Sequence, residues 1–204
     1  MILTLYEDNP NPKQIEQIVR VLEQGGVIIY PTDTLYAFAC DINNAKAARR
    51  LAALKGKMLE KSYFSIVCRN ISQVSQYVKP LSNEQFRILK ANLPGSFTFV
   101  LKTSPLTPRI FQTKRQTIGI RVPNNAIALA IVEMFGRPVL TSSLCRDGKC
   151  TEDYADAGLI EEQYGNKVDL IVDGGQISNI PSTVVSLIDD QTAILREGLC
   201  LPRL

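Results

Sequence analysis

Histidine is absent from all 204 residues. That removes Ser-His-Asp triads, Cys-His nucleophile pairs, HExxH zinc sites and any histidine general base. An enzyme with this sequence works by electrostatics, orientation or a metal ion carried in with the substrate. Long apolar runs are missing too: none approaches the roughly 18 residues of a membrane span, and no signal-peptide hydrophobic segment opens the chain. The expectation is a cytoplasmic protein with no membrane partner. Neither G-x-x-x-x-G-K-[ST] nor G-x-G-x-x-G occurs. A phosphate would therefore meet side-chain cations and hydroxyls, not a glycine-rich loop. There is no repeat, linker-like stretch or low-complexity segment, so one domain over residues 1–204 is expected.

Cysteine is sparse and odd in number: Cys40, Cys68, Cys145, Cys150 and Cys200. Cys40, Cys68 and Cys145 stand in or beside apolar runs, which predicts buried thiols in place of disulfides. Cys145 and Cys150 lack the spacing of a zinc pair and have no second pair, so no metal site is expected. Hydrophobic residues make up 45% and charged residues 21%, the balance of a soluble protein with one sizeable core. The net charge of +3 is too mild to demand nucleic acid, although clustering could make one face basic.

One stretch organises the rest, Gly25-Gly26-Val-Ile-Ile-Tyr-Pro-Thr-Asp-Thr-Leu-Tyr36. Val27 to Tyr30 is an apolar, β-branched run that reads as a buried strand, and Pro31 ends it. Thr32, Asp33, Thr34 and Tyr36 follow at the strand end, where ligand sites of α/β proteins lie. The plainer reading is a turn with Asp33 as a helix cap.

Around it, strands are predicted at Ile2 to Leu5, Tyr63 to Cys68, Phe97 to Lys102, Thr117 to Val122, Val139 to Ser143, Val168 to Val172, Thr183 to Ile188 and Ala193 to Arg196. Helices are predicted after Pro12, over Asn44 to Leu54, from the capping-box pattern Ser82-Asn-Glu-Gln85 through Leu93, around Ile127 to Met134, and over roughly residues 155–164. The alternation is regular but not strict. It predicts an α/β protein: a mixed, twisted, open sheet with helices packed on it.

Several side chains stand out as ligand candidates. Lys55 and Lys57 flank a glycine at a helix end, where the dipole alone would favour them. Thr117 and Arg121 lie four apart on one strand and so share a face, and Arg121, set among apolar residues, needs an anionic partner. Ser182 opens one strand and Arg196 closes another. Singly, each is as consistent with a turn or an ion pair as with a ligand.

In order, the motifs Tyr-Pro-Thr-Asp-Thr-Leu-Tyr (30–36), Lys-Gly-Lys (55–57), Pro-Gly-Ser-Phe-Thr-Phe (94–99), Thr-Ile-Gly-Ile-Arg-Val-Pro (117–123), Thr-Ser-Ser-Leu-Cys (141–145), Pro-Ser-Thr-Val-Val (181–185) and Leu-Arg-Glu-Gly (195–198) resemble the YrdC-like family over nearly the whole chain. The resemblance implies an open twisted α/β sheet with a concave, basic face. It implies threonylcarbamoyl-adenylate synthesis from L-threonine, bicarbonate and ATP with Mg²⁺, the group then passing to a tRNA adenosine. Residue by residue, Thr34, Arg121, Ser143 and Ser182 fall where the family holds threonine. Lys55, Thr117 and Arg196 fall where it holds the nucleotide, with Lys57, Lys61 and Cys145 on the same side. Lys55 and Lys57 would be the catalytic cations.

Four positions depart from the family pattern. Lys57 replaces an arginine, Cys145 an asparagine, Lys61 an asparagine and Ile66 a histidine. With the strand ending at Arg69, they are similar to the YciO branch. Two functional classes stay open: a nucleotide-dependent, threonylcarbamoyl-adenylate-forming protein, or a relative that binds tRNA or double-stranded RNA without synthase chemistry. Lys55, Lys57, Lys61, Lys114, Arg115 and Arg121 would serve either.

Overall fold

The local signals read above are realised in helices and strands with identifiable ends. Helix α1 (Pro12–Glu23) starts with proline at its first turn, and the Asn11 side chain accepts from the Lys13 N–H. In α2 (Ala45–Leu54) the Asn44 side chain caps the Ala47 N–H. The Ser82–Gln85 capping box has both its bonds and opens α4 (Asn83–Asn92). Helix α5 (Ala126–Phe135) stops at Gly136, whose φ of 72° suits a residue without Cβ. The remaining helices are α3 (Ile71–Tyr77) and α6 (Ala157–Tyr164). The structure, a computed structural model, describes residues 1–59, 62–111, 116–145, 150–189 and 191–204.

The strands are β1 (Ile2–Thr4), β2 (Ile28–Tyr30), β3 (Ala37–Asp41), β4 (Ser65–Val67), β5 (Phe97–Lys102), β6 (Thr117–Arg121), β7 (Val139–Ser143), β8 (Leu170–Asp173), β9 (Thr183–Ile188) and β10 (Gln191–Arg196). Among the described residues they form one ten-stranded sheet in the order β1-β8-β2-β3-β7-β4-β6-β5-β9-β10. Pairs β1/β8, β2/β8, β4/β6 and β5/β9 are parallel and the others antiparallel, the mixed sheet expected. Two elements were not foreseen. Strand β3, Ala-Phe-Ala-Cys-Asp, is buried at all five positions, so it shows no alternation, and it also lacks the β-branched residues that mark most buried strands. Helix α3 has seven residues, mostly serine and glutamine, too short for a periodic signal.

The two faces of the sheet differ. One packs Ile29, Phe38, Ile66, Ile120 and Leu140 against Leu51 of α2, Val74 of α3, Leu89 of α4 and Ile160 of α6. The other packs Ile28, Tyr30, Ala39, Val67 and Val139 against Ile15, Ile18 and Leu22 of α1 and Ile127 and Ile131 of α5. Burying one such side chain is worth about 1.5–3 kcal/mol. The apolar cluster of the second face stops at β4 and β7. Beyond them, the alternation of β6 and β5 turns Gly119, Arg121 and Thr98 to that same side, where no helix among the described residues joins the apolar cluster. That uncovered half is where the polar side chains gather.

Candidate functional site

The loop after β2 is held by its own hydroxyls. Thr32 Oγ1 donates to the Leu35 carbonyl at 2.7 Å and accepts the N–H groups of Thr34 and Leu35 at 3.2 Å. Its one proton is thereby used, so in the 3.2 Å contact between the Thr32 and Thr34 hydroxyls the donor is Thr34. Thr34 Oγ1 in turn accepts from Arg121 Nη2 at 3.0 Å. Thr141 likewise spends its one proton on the Phe38 carbonyl, so Tyr30 donates to Thr141 at 3.1 Å. Burial pushes the Tyr30 phenol up to about 12. Tyr36 is also raised to about 12, first by burial, and its oxygen bridges the Gly175 carbonyl and the Gly174 N–H.

Asp33 is the centre of this side of the site. Its Oδ1 accepts from Arg121 Nη2 at 2.6 Å, while its Oδ2 accepts from the Asn124 N–H at 3.1 Å and from Ser96 Oγ at 3.2 Å. The side chains of Arg121 and Asp33 are 10% and 6% exposed, so this is a buried ion pair. Asp33 is therefore no helix cap. Arg121 Nε, also buried, has no hydrogen-bond partner among the described residues. Leaving such a donor unpaired costs about 1–3 kcal/mol, which a ligand oxygen would offset.

A second guanidinium stands nearby. Arg196 donates Nη2 and Nε to the Ser182 carbonyl at 2.7 and 3.2 Å, and Nη2 also reaches Ser182 Oγ at 3.3 Å. Ser182 Oγ lies 2.8 Å from Thr98 Oγ1. Burial lowers the Arg196 pKa, and the positive charge of Arg121 lowers it further. Two glycines make the arrangement possible. A Cβ on Gly198 would overlap the Pro181 carbonyl, preventing the Leu-Arg-Glu-Gly and Pro-Ser-Thr segments from packing. A Cβ on Gly119 would overlap Ser65 Oγ on the open face.

A third cation stands at the C-terminal end of β7. The Lys-Gly-Lys motif is the C-terminal cap of α2: the Gly56 N–H bonds Ala53 O at 2.8 Å, the Lys57 N–H bonds Ala52 O at 3.0 Å, and Gly56 has φ 67°. Lys55 Nζ donates to the Ser143 carbonyl at 2.6 Å and to the Cys145 carbonyl. Lys57 is exposed. Thr117 is at the opposite end of β6 from Arg121, about 13 Å away at strand spacing, so the two can share only an extended ligand.

The structure thus joins Thr34 to Arg121 and Ser182 to Arg196, the two guanidiniums near enough for their charges to interact, and joins Lys55 to the carbonyls of Ser143 and Cys145. It corrects one further reading, that of Cys145. Cys145 is not a buried thiol: it is disulfide-bonded to Cys150, with Cα atoms 4.5 Å apart. Apolar neighbours report burial, not whether a turn brings a second cysteine within bonding range. Cys40 and Cys68 are buried thiols as read. Ile66 belongs to the core on the covered face, opposite Ser65, so the change from histidine there leaves the open face untouched. Lys61, Lys114 and Arg115 lie outside the described residues. Asp33 was read as part of the polar loop but not as the partner of Arg121, and Ser96, Thr98 and Asn124 were not foreseen as site residues. Asp33, Ser96 and Thr98 sit inside the quoted motifs, but nothing local tells a carboxylate in a turn from one that reaches a distant arginine. Among the described residues no cluster of three or more His, Cys, Asp or Glu side chains could hold a metal, and no helix is long and apolar enough to cross a membrane.

A family model, Sua5/YciO/YrdC (Telomere recombination), matches residues 20–198. The chain is 40% identical over 197 residues to YciO of Escherichia coli, covering 96% of this chain and 94% of that one. The chain belongs to the Sua5/YciO/YrdC family. The crystal structure of E. coli YciO superposes with a TM-score of 0.91, covering 98% of this chain and 96% of that one. A threonylcarbamoyl-AMP synthase of Halorhodospira halophila is 29% identical over 163 residues, 80% of this chain and 84% of that one. Pyrococcus abyssi Sua5, solved with L-threonine, superposes with a TM-score of 0.87 at 26% identity; the match covers 97% of this chain and 57% of Sua5. The fold and the family are those that the ordered motifs indicated.

Proposed function

We propose that the open face binds L-threonine and ATP, and that the protein carries out threonylcarbamoyl-adenylate-type nucleotidyl transfer in the service of tRNA modification. The observation that carries this reading is Arg121, a buried guanidinium fixed by Asp33 and Thr34, its Nε without a partner among the described residues and its charge felt by Arg196. Such a pair of cations fits the carboxylate of an amino acid and the phosphates of a nucleotide. The relatives named for the synthase reaction and for bound L-threonine support the choice of ligands.

In this reading Arg121 takes the threonine carboxylate, with Thr34, Ser143 and Ser182 as hydroxyl partners. Lys55, Thr117 and Arg196 take the nucleotide, with Lys57 at the rim, and Mg²⁺ arrives on ATP as part of the substrate. The threonine amine forms an N–C bond to bicarbonate carbon, the amine proton and a bicarbonate hydroxyl leaving as water, and the carbamate oxygen then displaces pyrophosphate from the α-phosphorus. That sequence needs orientation and charge neutralisation more than a protein base, which accords with a chain lacking histidine. ATP–pyrophosphate turnover tests it, with threonine and bicarbonate omitted in turn. Release of pyrophosphate that needs all three substrates supports the reading; release indifferent to threonine counts against it.

One observation favours a second reading, a tRNA- or double-stranded-RNA-binding relative without synthase activity. The sulfur of Cys145, at the asparagine position of the family pattern, is bonded to Cys150 and cannot serve a ligand as an amide would. In that case RNA affinity falls steeply and log-linearly with salt, with little sequence preference, and no threonine-dependent turnover accompanies it. Filter binding across a salt series separates the two readings.

A further inference from the structure

We propose that Cys145 and Cys150 are a reversible thiol–disulfide site, taking a low-molecular-weight disulfide of the glutathione class as co-reactant, whose state controls how far Lys55 is engaged by the chain itself. The consequence for nucleotide affinity rests on the reading of Lys55 given above; the thiol chemistry does not.

Position comes first. Cys145 lies two residues beyond Ser143, the end of β7, and both carbonyls receive Lys55 Nζ. Ser143 is held in register with Ala37 of β3, and the next N–H, of Leu144, continues that pairing to the Tyr36 carbonyl at 3.2 Å. Cys145 has left the ladder, and its bond to Cys150, five residues on, ties it down. Closing that ring holds the Cys145 carbonyl on Lys55. Opening it leaves the Cys145 peptide free to turn while the Ser143 acceptor stays in the sheet. The disulfide state is thus read directly by the ammonium group.

The other cysteines give the contrast. Cys40 and Cys68 are fully buried, and burial raises both thiols far above the ordinary thiol range, so they are poor thiolates out of reach of solvent. Cys200 is exposed and unpaired. In a reducing compartment a disulfide at a ligand site is transient and sensing, not structural.

The step balances. Cys150, the more exposed of the pair, attacks one sulfur of the small disulfide as thiolate, forming a mixed disulfide and expelling one small thiolate. Cys145 gives its proton to solvent, attacks Cys150 Sγ and expels the second small thiolate. Two protein thiols and one small disulfide become one protein disulfide and two small thiols, with two electrons transferred.

The test poises the whole protein in glutathione buffers of increasing oxidation. Peptide mass spectrometry counts alkylated cysteines and measures the rate at which an N-hydroxysuccinimide ester acylates Lys55, with Lys57 as internal reference. The expected result is a Cys145–Cys150 link that forms and reverses with the buffer, and Lys55 acylation several-fold slower when it is closed. Cys150→Ser should show the fast rate in every buffer. Calorimetry with ATP should find about tenfold weaker binding to the oxidised protein, the worth of one charge-assisted hydrogen bond. A pair that never links, or Lys55 rates equal in both states, overturns the proposal. The acylation readout contains no nucleotide, so ATP that binds neither form overturns the nucleotide reading alone.

Discussion

The arginine arm and the lysine arm of the site are built differently. Arg121 is held through the side chains of Asp33 and Thr34, with Ser96 bracing Asp33, on the uncovered side of the sheet, while Arg196 rests mainly on the Ser182 carbonyl with Ser182 Oγ behind it. Lys55 is held by two main-chain carbonyls at a helix end, beside an exposed Lys57 and a disulfide. A network of buried side chains tolerates little change, because removing any member strands a charge or a hydroxyl. Main-chain acceptors tolerate any side chain on the residue that supplies them. The departures from the family pattern at Lys57 and Cys145 accordingly fall on the lysine arm.

This contrast breaks most readily at Asp33. Replacing it with alanine leaves Arg121 buried and unpaired and should cost about 3–5 kcal/mol of stability by urea denaturation. Asp33→Asn, which keeps its shape, should cost less. A loss under about 1 kcal/mol for the alanine variant would show that the arginine arm is no stricter than the lysine arm.

Alkaline pH probes the buried phenols beside it. Tyr30 and Tyr36 hold their protons to about 12 in the folded chain, against 10.0 for a free phenol. Between those values the unfolded chain is ionised and the folded one is not, so the unfolded state binds fewer protons and stability falls as pH rises. The contribution is complete below pH 10 and lost by about pH 12, roughly 2–3 kcal/mol for Tyr30 by the usual conversion. Urea midpoints at pH 9, 10 and 11 check it. Tyr30→Phe should flatten the decline, and should leave Thr141 bonded to the Phe38 carbonyl.

Sharpening the lysine arm means restoring it. Lys57→Arg with Cys145→Asn returns a planar fork and an amide, each worth about 1–3 kcal/mol in a transition state. Threonine-dependent pyrophosphate release should rise by roughly one to two decades, and more than ATP affinity does. Both single variants and Cys150→Ser must be measured beside the double, since neighbours need not add and Cys145→Asn also removes the disulfide. The smallest effect lies far from both arms. Arg20 and Glu16 form an exposed i,i+4 pair on α1, and Arg20→Ala should change stability by no more than about 0.5 kcal/mol.

Much of this was legible in the residues. The capping box at Ser82, the apolar stripe of α1 and the glycine stop at Gly136 are local, and each formed as read. Strand β3 escaped because a strand buried on both faces carries no alternation. In the site, ordered motifs located Thr34, Arg121, Ser182 and Arg196, yet gave no reason for Arg121 to meet Asp33, 88 residues away. That pairing depends on β6 lying in the sheet beyond β7 and β4, a matter of topology that no local pattern encodes. The Cys145–Cys150 bond was missed for the opposite reason. The two are close in sequence, but the spacing is compatible with either state.

The most direct test of the account is calorimetry of L-threonine, with ATP and Mg²⁺ present, on the reduced protein and on Arg121→Gln, both checked for fold by circular dichroism. The account predicts saturable binding to the parent and affinity weakened roughly 10- to 100-fold in the variant, the loss of one charge-assisted carboxylate contact. Threonine that fails to bind the parent, or that binds a folded Arg121→Gln equally well, would contradict it.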